Sequence, residues 1–185
     1  MIEIAIGISG ASGVHYGIRL VEILSGMDNV FTHLVITESA KKLIGIESEY
    51  SVLEIEDMAS RAYNEKDFTA PIASGSHRFA GMIVAPCSMK TLGSVANGIT
   101  DNLLTRSADV CMKERRSLVL MTRETPLNQI HIENMLKATQ SGATILPACP
   151  GFYSNPQTIE DLLNTMSGRA LDLLGIENEV FARWK

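Results

Sequence analysis

Short apolar runs alternate with amphipathic stretches along almost the whole chain, and this pattern constrains the fold most. Apolar runs typical of buried strands occupy residues 2–8, 31–37, 82–85, 118–121 and 143–146. Stretches with helical spacing occupy residues 14–25, 38–45, 51–63, 91–97, 102–115, 128–141 and 156–174. Strands that alternate with helices pair in parallel and are covered by those helices. The sequence therefore predicts an α/β fold with a parallel sheet and helices on both faces.

Length and composition favour one globular domain. The chain has 185 residues, 45% of them hydrophobic, and shows no internal repeat or linker. That length is enough for one full-sized core. We therefore treat residues 1–185 as a single domain that ends in a tail at 177–185. The tail carries the only tryptophan, Trp184, and we predict that it packs on a neighbouring subunit.

Charge, cysteine count and the N-terminal residues exclude several classes of protein. The net charge of −5 argues against broad nucleic-acid binding. The three cysteines show no CxxC pairing, which fits a reducing compartment. No apolar run approaches the roughly 18 residues that a membrane span needs, and the first residues lack the basic region of a signal peptide. We predict a cytoplasmic protein that binds neither nucleic acid nor membrane.

A glycine-rich turn, GISGASG at residues 7–13, follows the first apolar run. Small residues let backbone N–H groups approach a ligand, and the N-terminus of the next helix favours an anion. A P-loop is excluded because Val14 and His15, not a Lys-Ser/Thr pair, follow the last glycine. The glycines are spaced three apart, which also departs from the GxGxxG dinucleotide fingerprint. Two interpretations remain: a mononucleotide or flavin site with hydroxyls from Ser9 and Ser12, or a tight turn that needs only small residues.

Arg123 and Glu124 follow the apolar run at 118–121, so they stand at the carboxyl end of a predicted core strand. In open α/β sheets ligands bind at that end of the strands. An arginine there suits an anion, and an adjacent acid suits proton transfer or orientation of the arginine. The alternative is a solvated ion pair without function.

The segment PCSMKT at residues 86–91 leaves another predicted strand in the same way. Ser88 and Thr91 can offer hydroxyls and cap the next helix. The segment is typical of a cradle for an anion or a flavin phosphate. Ordinary helix capping would use the same residues.

Four cationic side chains in this acidic chain indicate a ligand with more than one phosphate: Arg106, Lys113, Arg123 and Arg169. Arg106 and Lys113 lie near one helix face with Asp109 between them, which fits either a phosphate site or a surface ladder of salt bridges. Tyr153 follows the last strand, and a phenol together with the Arg169 guanidinium suits a phosphate ester. A solvated Arg169 is the alternative.

The histidines form no metal-ligand pattern in the sequence. His15, His33 and His77 are scattered along the chain, and His131 fits a partly buried histidine with satisfied hydrogen bonds better than a catalyst. We predict no metal.

Together these segments resemble the flavin prenyltransferase family, that is, UbiX and its close relatives among the phenolic-acid decarboxylase proteins. The resemblance runs from residue 4 to residue 184. The motifs that carry it are GISGASG at 7–13, ASGS at 73–76, PCSMKTL at 86–92, DNLLTRSADVCMKERR at 101–116, RETPL at 123–127, HIENML at 131–136, PGFYSNPQTIEDL at 150–162, RALDLLGI at 169–176 and FARW at 181–184. Their order and spacing make the match specific.

The resemblance implies a flavodoxin-like Rossmann fold, a three-layer sandwich that binds FMN between subunits. It also implies a homo-oligomer, commonly a dodecamer. The implied reaction transfers a dimethylallyl group from dimethylallyl phosphate to N5 and then C6 of reduced FMN, without a metal. Its product, prenylated FMN, would serve a UbiD-type decarboxylase as cofactor.

The resemblance further assigns roles by position. It places at the flavin Gly10, Ala11, Ser12, Gly13, Thr37, Ser88, Met89, Lys90, Thr91 and Arg123. It places at the prenyl phosphate, some from neighbouring subunits, Arg106, Lys113, Glu124, Tyr153 and Arg169. Ser12 and Glu47 match a pair that assists proton transfer to or from phosphate, and with Glu124 and Lys113 they are the predicted catalytic residues. The chain has Thr37 where serine is frequent and Ser107 where alanine is frequent, and both changes are conservative.

Two other kinds of function stay open. A flavin-dependent decarboxylase could be of the cysteine type, although those relatives carry Pro-Ala-Ser-Ala-Asn-Thr where this chain has PCSMKT. It could also act directly on a phenolic acid. A non-enzymatic FMN carrier would bind FMN and form no product.

Overall fold

Six parallel strands form one sheet in the computed structural model, which describes residues 1–184. The strands are β1 (Ile2–Ile8), β2 (Val30–Ile36), β3 (Arg61–Tyr63), β4 (Gly81–Cys87), β5 (Ser117–Thr122) and β6 (Thr144–Ile145). Their order across the sheet is β3-β2-β1-β4-β5-β6. The chain builds outward from β1 in one direction and then in the other, so the topological switch lies between β1 and β4. Ligands of open α/β sheets bind at such a switch.

The helices cover both faces of this sheet. They are α1 (His15–Ser25), α2 (Glu38–Glu47), α3 (Val52–Met58), α4 (Met89–Ala96), α5 (Leu103–Lys113), α6 (Gln129–Gln140) and α7 (Ile159–Leu173), with a 3₁₀ turn at Pro71–Ala73. Alternate residues of β1 point to two separate cores: Ile4 and Ile6 pack with α1, α2, α3 and α7, whereas Ala5 packs with α4, α5 and α6. The predicted three-layer α/β sandwich is confirmed.

One predicted helix, residues 51–63, is wrong in its second half. The helix there, α3, ends at Met58, and Ala59 is already extended with ψ 151. Residues 61–63 instead form the edge strand β3 on β2, where the Ser60 hydroxyl also accepts a hydrogen bond from the Thr32 amide at 3.0 Å. Helical spacing continues through these residues, but pairing with a strand almost thirty positions away decides their structure.

The remaining boundaries shift by a few residues. The strand predicted to stop before Pro86 continues to Cys87. The last long helix was predicted to start at 156, but it begins at Ile159 because Thr158 caps it. Helix α4 begins at Met89, directly after its cap Ser88. These shifts move no predicted site residue away from its strand end.

The tail contacts the last helix of its own chain. Arg183 donates to both carboxylate oxygens of Asp172 at 2.8 and 2.9 Å, and Phe181 packs over Gly168. Trp184 meets the Tyr153 ring edge-on at 5.3 Å between centroids and remains 77% exposed. Packing of this exposed ring on a neighbouring subunit stays a prediction. Among residues 1–184, no helix combines the length and the apolar character that crossing a membrane requires.

Candidate active site

The turns that follow β1 and β4 are tied together at the carboxyl edge of the sheet. The Ser9 hydroxyl donates to the Pro86 carbonyl at 2.9 Å and accepts from the Ser88 amide at 2.8 Å. Gly13 has φ +93, a conformation that L side chains rarely adopt, and a Cβ on Gly10 would collide with Ser39. The glycine-rich turn therefore has a fixed shape that side chains on those two glycines would destroy.

Three helix N-termini meet at one small cavity beside this turn. Thr37 caps α2, Ser88 caps α4 and Asn102 caps α5, each through its side-chain oxygen and a backbone N–H. The cavity holds about 200 Å³ and is lined by Thr37, Glu38, Ser39, Glu65, Lys66, Ser88, Lys90, Thr91, Ser94, Asp101, Asn102 and Thr105. Helix N-termini carry partial positive charge, so three of them around one cavity make it a binding place for an anion such as a phosphate.

Arg123 lies next to the glycine-rich turn and is not paired with its neighbour Glu124. The Arg123 Cγ is 4.0 Å from the position that a Cβ on Gly13 would occupy. Its backbone N–H bonds to the Cys87 carbonyl at 3.2 Å, and its Nε is buried without a hydrogen-bond partner among the described residues. The Glu124 carboxylate accepts instead from the Thr125 amide at 3.0 Å. A strand-end ion pair, the alternative left open by the sequence, is therefore wrong.

Glu47 reaches back to the start of α1. Its carboxylate accepts hydrogen bonds from the Gly13 amide at 2.8 Å and the Val14 amide at 3.3 Å, and the Ser12 side chain lies close enough to favour its charged form as well. Burial opposes ionisation of Glu47, but these hydrogen bonds outweigh it and lower its pKa below the ordinary 4.5. Glu47 is therefore ionised at neutral pH and lies near Ser12, and the part of this pair in proton transfer stays a prediction.

Tyr153 and Arg169 come together in a second cavity at the same edge of the sheet. It holds about 400 Å³ and is lined by Leu146, Pro147, Cys149, Gly151, Tyr153, Thr165, Met166 and Arg169. Its walls are mostly apolar, with the phenol and the guanidinium as exposed polar groups. Arg169 also pairs with Asp172 at 3.1 Å on the helix surface. A cavity with this lining suits an apolar chain that ends in a phosphate.

Arg106 and Lys113 face a different loop. Arg106 pairs with Asp109 at 2.8 Å and donates to the Ala73 carbonyl at 3.0 Å. Lys113 pairs with Glu114, beside Gly75, so the ladder of salt bridges through Asp109 does not extend to it. Both cations thus lie along the ASGS loop at 73–76.

Lys113 and Arg169 cannot share a ligand within one chain. Lys113 lines a cleft with Ser117 and Gly142, at the amino ends of β5 and β6, whereas Arg169 lies beyond the carboxyl ends of those strands. The six residues of β5 span about 20 Å. Helix α5 also packs on one face of the sheet and α7 on the other. A site that uses both side chains must combine different subunits.

Two of the histidines that are scattered along the sequence come together with a glutamate in the fold. His33 and His77 both lie within hydrogen-bond reach of the Glu3 carboxylate, near the amino end of β1. Burial lowers the pKa of His33 despite the Glu3 carboxylate, so its ring is neutral at pH 7. His131 is half-buried, and its Nδ1 accepts from the Asn128 amide at 3.4 Å, which confirms a satisfied histidine. Spacing could not reveal the cluster because sheet pairing creates it.

Sequence reasoning missed three residues that shape the carboxyl edge. Ser9 was considered only as a hydroxyl for a ligand, but it joins the two turns. Asn102 and Ser39 line the cavity of the three helix N-termini. Asn102 was detectable, because an asparagine three residues before Thr105 is a capping pattern at a predicted helix start. No sequence pattern points to Ser39, because its role depends on how closely Gly10 approaches it in the folded chain.

Comparison with known proteins identifies the family. A family model described as Flavoprotein matches residues 1–171. A relative from Methanothermobacter thermautotrophicus, named flavin prenyltransferase UbiX, is 49% identical over 181 residues, which cover 98% of this chain and 94% of the relative.

Two solved structures extend the similarity to three dimensions. A crystal structure of AnUbiX (PadA1) in complex with FMN and dimethylallyl pyrophosphate has a TM-score of 0.97 at 44% identity, and covers 100% of this chain and 97% of that one. A dodecameric FMN-dependent UbiX-like decarboxylase from Escherichia coli O157:H7 has a TM-score of 0.97 at 42% identity, with 100% of both chains covered. The chain therefore belongs to the flavoprotein family and, within it, to the flavin prenyltransferases of the UbiX type.

Proposed function

We propose that this flavin prenyltransferase joins the dimethylallyl group of dimethylallyl phosphate to N5 and C6 of reduced FMN. The observation that carries the proposal is the buried Arg123 Nε, which has no partner among the described residues and lies beside the glycine-rich turn. An unpaired buried donor is costly. A bound flavin would offer the acceptor that it lacks.

The residues at the carboxyl edge fit FMN. The cavity of the three helix N-termini would hold the phosphate, with hydroxyls from Thr37, Ser88 and Thr91 and the charge of Lys90. The backbone of residues 10–13 would lie against the ring system, because a close approach there needs Gly10 and Gly13. Met89, at the first position of α4, directly follows Ser88 and would lie near the flavin with it. Reduced FMN supplies the nucleophilic ring atoms, and the protein supplies their position.

The Tyr153–Arg169 cavity would hold the dimethylallyl phosphate. Its apolar wall suits the five-carbon chain, and the guanidinium and phenol suit the phosphate. When the allylic C–O bond breaks, positive charge develops on carbon and the phosphate leaves with the bonding electrons. Fixed cations stabilise that leaving group without reorganising, which is the main electrostatic route to catalysis.

The complete site would combine several subunits. Lys113 lies about a strand's length from Arg169 in one chain, and the helix that carries Arg106 and Lys113 covers the opposite face of the sheet from α7, so a neighbouring subunit would bring them to the same phosphate. The dodecameric Escherichia coli neighbour supports an assembly of that kind. We propose a homo-oligomer, with the dodecamer as its form.

Two carboxylates, those of Glu47 and Glu124, would accept and donate the protons of the reaction. Glu47 is ionised and lies near Ser12, so it would accept a proton that the hydroxyl passes on. Glu124 is exposed at the end of β5, near Arg123 but not bonded to it, and can serve the donor phosphate. The product, prenylated FMN, would be released to a UbiD-type decarboxylase.

One other function has an observation in its favour. The Escherichia coli neighbour, 42% identical, is described as a decarboxylase, so direct FMN-dependent decarboxylation of a phenolic acid is the second candidate. Such an enzyme would form carbon dioxide from 4-hydroxybenzoate without any prenyl donor.

Mass spectrometry of the flavin separates these functions. The purified protein is incubated without oxygen with reduced FMN and dimethylallyl phosphate, and in parallel with the diphosphate. We expect the released flavin to gain the mass of one dimethylallyl group less one proton. A bound flavin of unchanged mass with both donors would contradict the proposal, and carbon dioxide release from 4-hydroxybenzoate in the same preparation would favour the decarboxylase.

A further inference from the structure

Two histidines and a glutamate converge near the amino end of β1, away from the flavin edge. The Glu3 Oε2 lies 3.0 Å from the His33 Nε2 and 2.9 Å from the His77 Nε2. All three ligand atoms lie within 4.8 Å of one another. Glu3 stands at the second residue of β1, so four to five residues, or about 15 Å, separate this cluster from the glycine-rich turn.

We propose that Glu3, His33 and His77 form a binding site for a divalent transition-metal ion of the zinc type. Two imidazole nitrogens and one carboxylate are a common ligand set for zinc, with a fourth position left to water or another ligand. The metal would play a structural part, because the cluster lies at the opposite end of β1 from the proposed flavin edge.

His33 is already held in the position that a metal ligand needs. Its side chain is only 3% exposed, and its second nitrogen, Nδ1, lies 2.8 Å from the Tyr63 hydroxyl. A partner on the second nitrogen fixes the ring and is usual around metal-bound histidines. A hydroxyl can both donate and accept. Tyr63 can therefore donate to Nδ1 when Nε2 carries the proton, and accept from Nδ1 when a metal binds Nε2 and the proton moves to Nδ1.

The two separations from Glu3 are close to those that a metal requires, and the two histidine nitrogens lie within 4.8 Å of each other. Ligand atoms about 2.0–2.1 Å from a tetrahedral ion are about 3.3 Å from one another, a few tenths of an ångström more than the separations from Glu3. Glu3 and His77 can supply this movement because their side chains are 36% and 31% exposed. The buried His33 can stay in place.

No arginine or lysine neutralises Glu3 within residues 1–184; its ion partners are the two histidines. The nearby guanidiniums stack on rings: Arg61 lies 5.2 Å from the centroid of Tyr63, and Arg116 lies 4.6 Å from that of Phe79. The negative charge of the Glu3 carboxylate is therefore available to a cation bound by the two histidines.

A metal here would anchor the ASGS loop. His77 follows that loop directly, and the loop carbonyls of Ala73 and Gly75 accept from Arg106 at 3.0 Å and Arg116 at 2.7 Å. Fixing His77 would thus hold the loop along which Arg106 and Lys113 lie. The proposed reaction gives the ASGS motif no role. With a metal bound, the motif would help to position Arg106 and Lys113.

Metal titration of the purified full-length protein tests the proposal. The protein is first dialysed against a chelator, and zinc binding is then measured by calorimetry, with cobalt as a spectroscopic probe. We expect one zinc per chain, a visible cobalt spectrum of a low-coordinate site, and a raised thermal midpoint with zinc, as for any ligand of the folded state. His77→Gln and Glu3→Gln should lower the zinc affinity at least 100-fold, and Tyr63→Phe about 10-fold.

Substitution of His77 or Glu3 should not disturb folding, because both side chains are partly exposed to solvent. His131→Gln, on α6, is the matched control and should bind zinc like the unchanged protein. The proposal is overturned if the unchanged protein binds no stoichiometric zinc. It is equally overturned if the His77→Gln protein keeps the same affinity and cobalt spectrum, since the ion would then lie elsewhere.

Discussion

Two buried polar groups at opposite ends of the sheet, Arg123 and His33, differ in how far their hydrogen bonds are satisfied. At the carboxyl edge, three helix N-termini open on one cavity, and the buried Arg123 Nε has no partner among the described residues. Near the amino end of β1, the buried His33 has a partner on each ring nitrogen, Tyr63 and Glu3. The Arg123 Nε lies beside the proposed flavin site and can be satisfied by a bound ligand, whereas the His33 cluster is already satisfied and needs no ligand to be stable.

The contrast also explains why the cationic residues divide into two groups. The Arg123 Nε has no partner among the described residues, so it can donate to a ligand that its own chain binds. Arg106 and Lys113 are paired on the surface of α5, and Arg169 on that of α7, and these surfaces lie on opposite faces of the sheet. Surface ion pairs of this kind stabilise a protein by at most about 1 kcal/mol, so a phosphate can displace them readily.

The largest effects are expected at the proposed prenyl-phosphate site. Lys113→Ala and Arg169→Ala should each slow prenyl transfer about 100- to 1,000-fold, as removal of one charge-stabilising donor commonly does. FMN binding should change little. Single-turnover kinetics with saturating reduced FMN measure the loss, with the exposed Lys42→Ala and Arg78→Ala as controls. Normal turnover in either site variant would contradict the phosphate assignment.

Mixed oligomers test whether the two cations come from different subunits. Lys113→Ala and Arg169→Ala subunits are inactive separately in this scheme, but their co-assembly would create sites with both side chains intact. We expect activity to return in co-expressed mixtures to a fraction set by random assembly. If no mixture regains activity, the two residues belong to one subunit's site or to none.

Arg123→Ala should act on flavin affinity. Loss of a hydrogen-bonding guanidinium costs about 2 kcal/mol, or about 30-fold in Kd, while stability should hold because no protein partner of its Nε is lost. Quenching of FMN fluorescence measures the affinity. An Arg123→Ala protein that binds FMN with unchanged affinity would show that the unpaired donor does not await the flavin.

Two helix caps, one at the carboxyl edge and one away from any proposed site, allow a matched comparison. Thr37→Ala and Ser51→Ala each remove an N-cap, of α2 and α3 respectively, and each should lower the free energy of unfolding by about 1 kcal/mol. Only Thr37 lines the proposed phosphate cavity. Urea unfolding should therefore give similar losses for both, and FMN titration should show weaker binding for Thr37→Ala alone. Equal FMN affinity in both would place the phosphate elsewhere.

The smallest expected effect is the pH dependence of stability at Glu47. Its pKa is lowered in the folded protein because hydrogen bonds from the Gly13 and Val14 amides, with the nearby Ser12 side chain, outweigh burial. The stabilisation is therefore present above pH 4.5 and is lost as the pH falls through the folded value. Glu47→Gln should cost about 1 kcal/mol or less at pH 7 because the group is partly solvated. That cost should shrink below pH 4.5.

Urea unfolding of the Glu47→Gln protein at several pH values measures this dependence. The exposed Glu49→Gln, two residues further along, is the control and should show neither the cost nor its pH dependence. A cost that is the same at pH 3.5 and pH 7 would mean that the Glu47 charge contributes nothing.

The sequence predicted the sheet and its carboxyl edge because both depend on local patterns. Apolar runs marked five of the six strands, and turn residues marked where each one ends. The short strand β3 escaped because its pairing with β2 is long-range. The cluster of Glu3, His33 and His77 escaped for the same reason, since three distant segments meet only in the folded sheet. The separation of Lys113 from Arg169 likewise depends on which face each helix covers.

The position of the FMN phosphate tests the proposed flavin edge most directly. A structure of the oligomer with FMN bound should place that phosphate about 3 Å from the Thr37 and Ser88 hydroxyls, at the three helix N-termini, with Arg123 turned toward the flavin. A phosphate found on Arg106 and Lys113 instead, or FMN bound away from the glycine-rich turn, would contradict it.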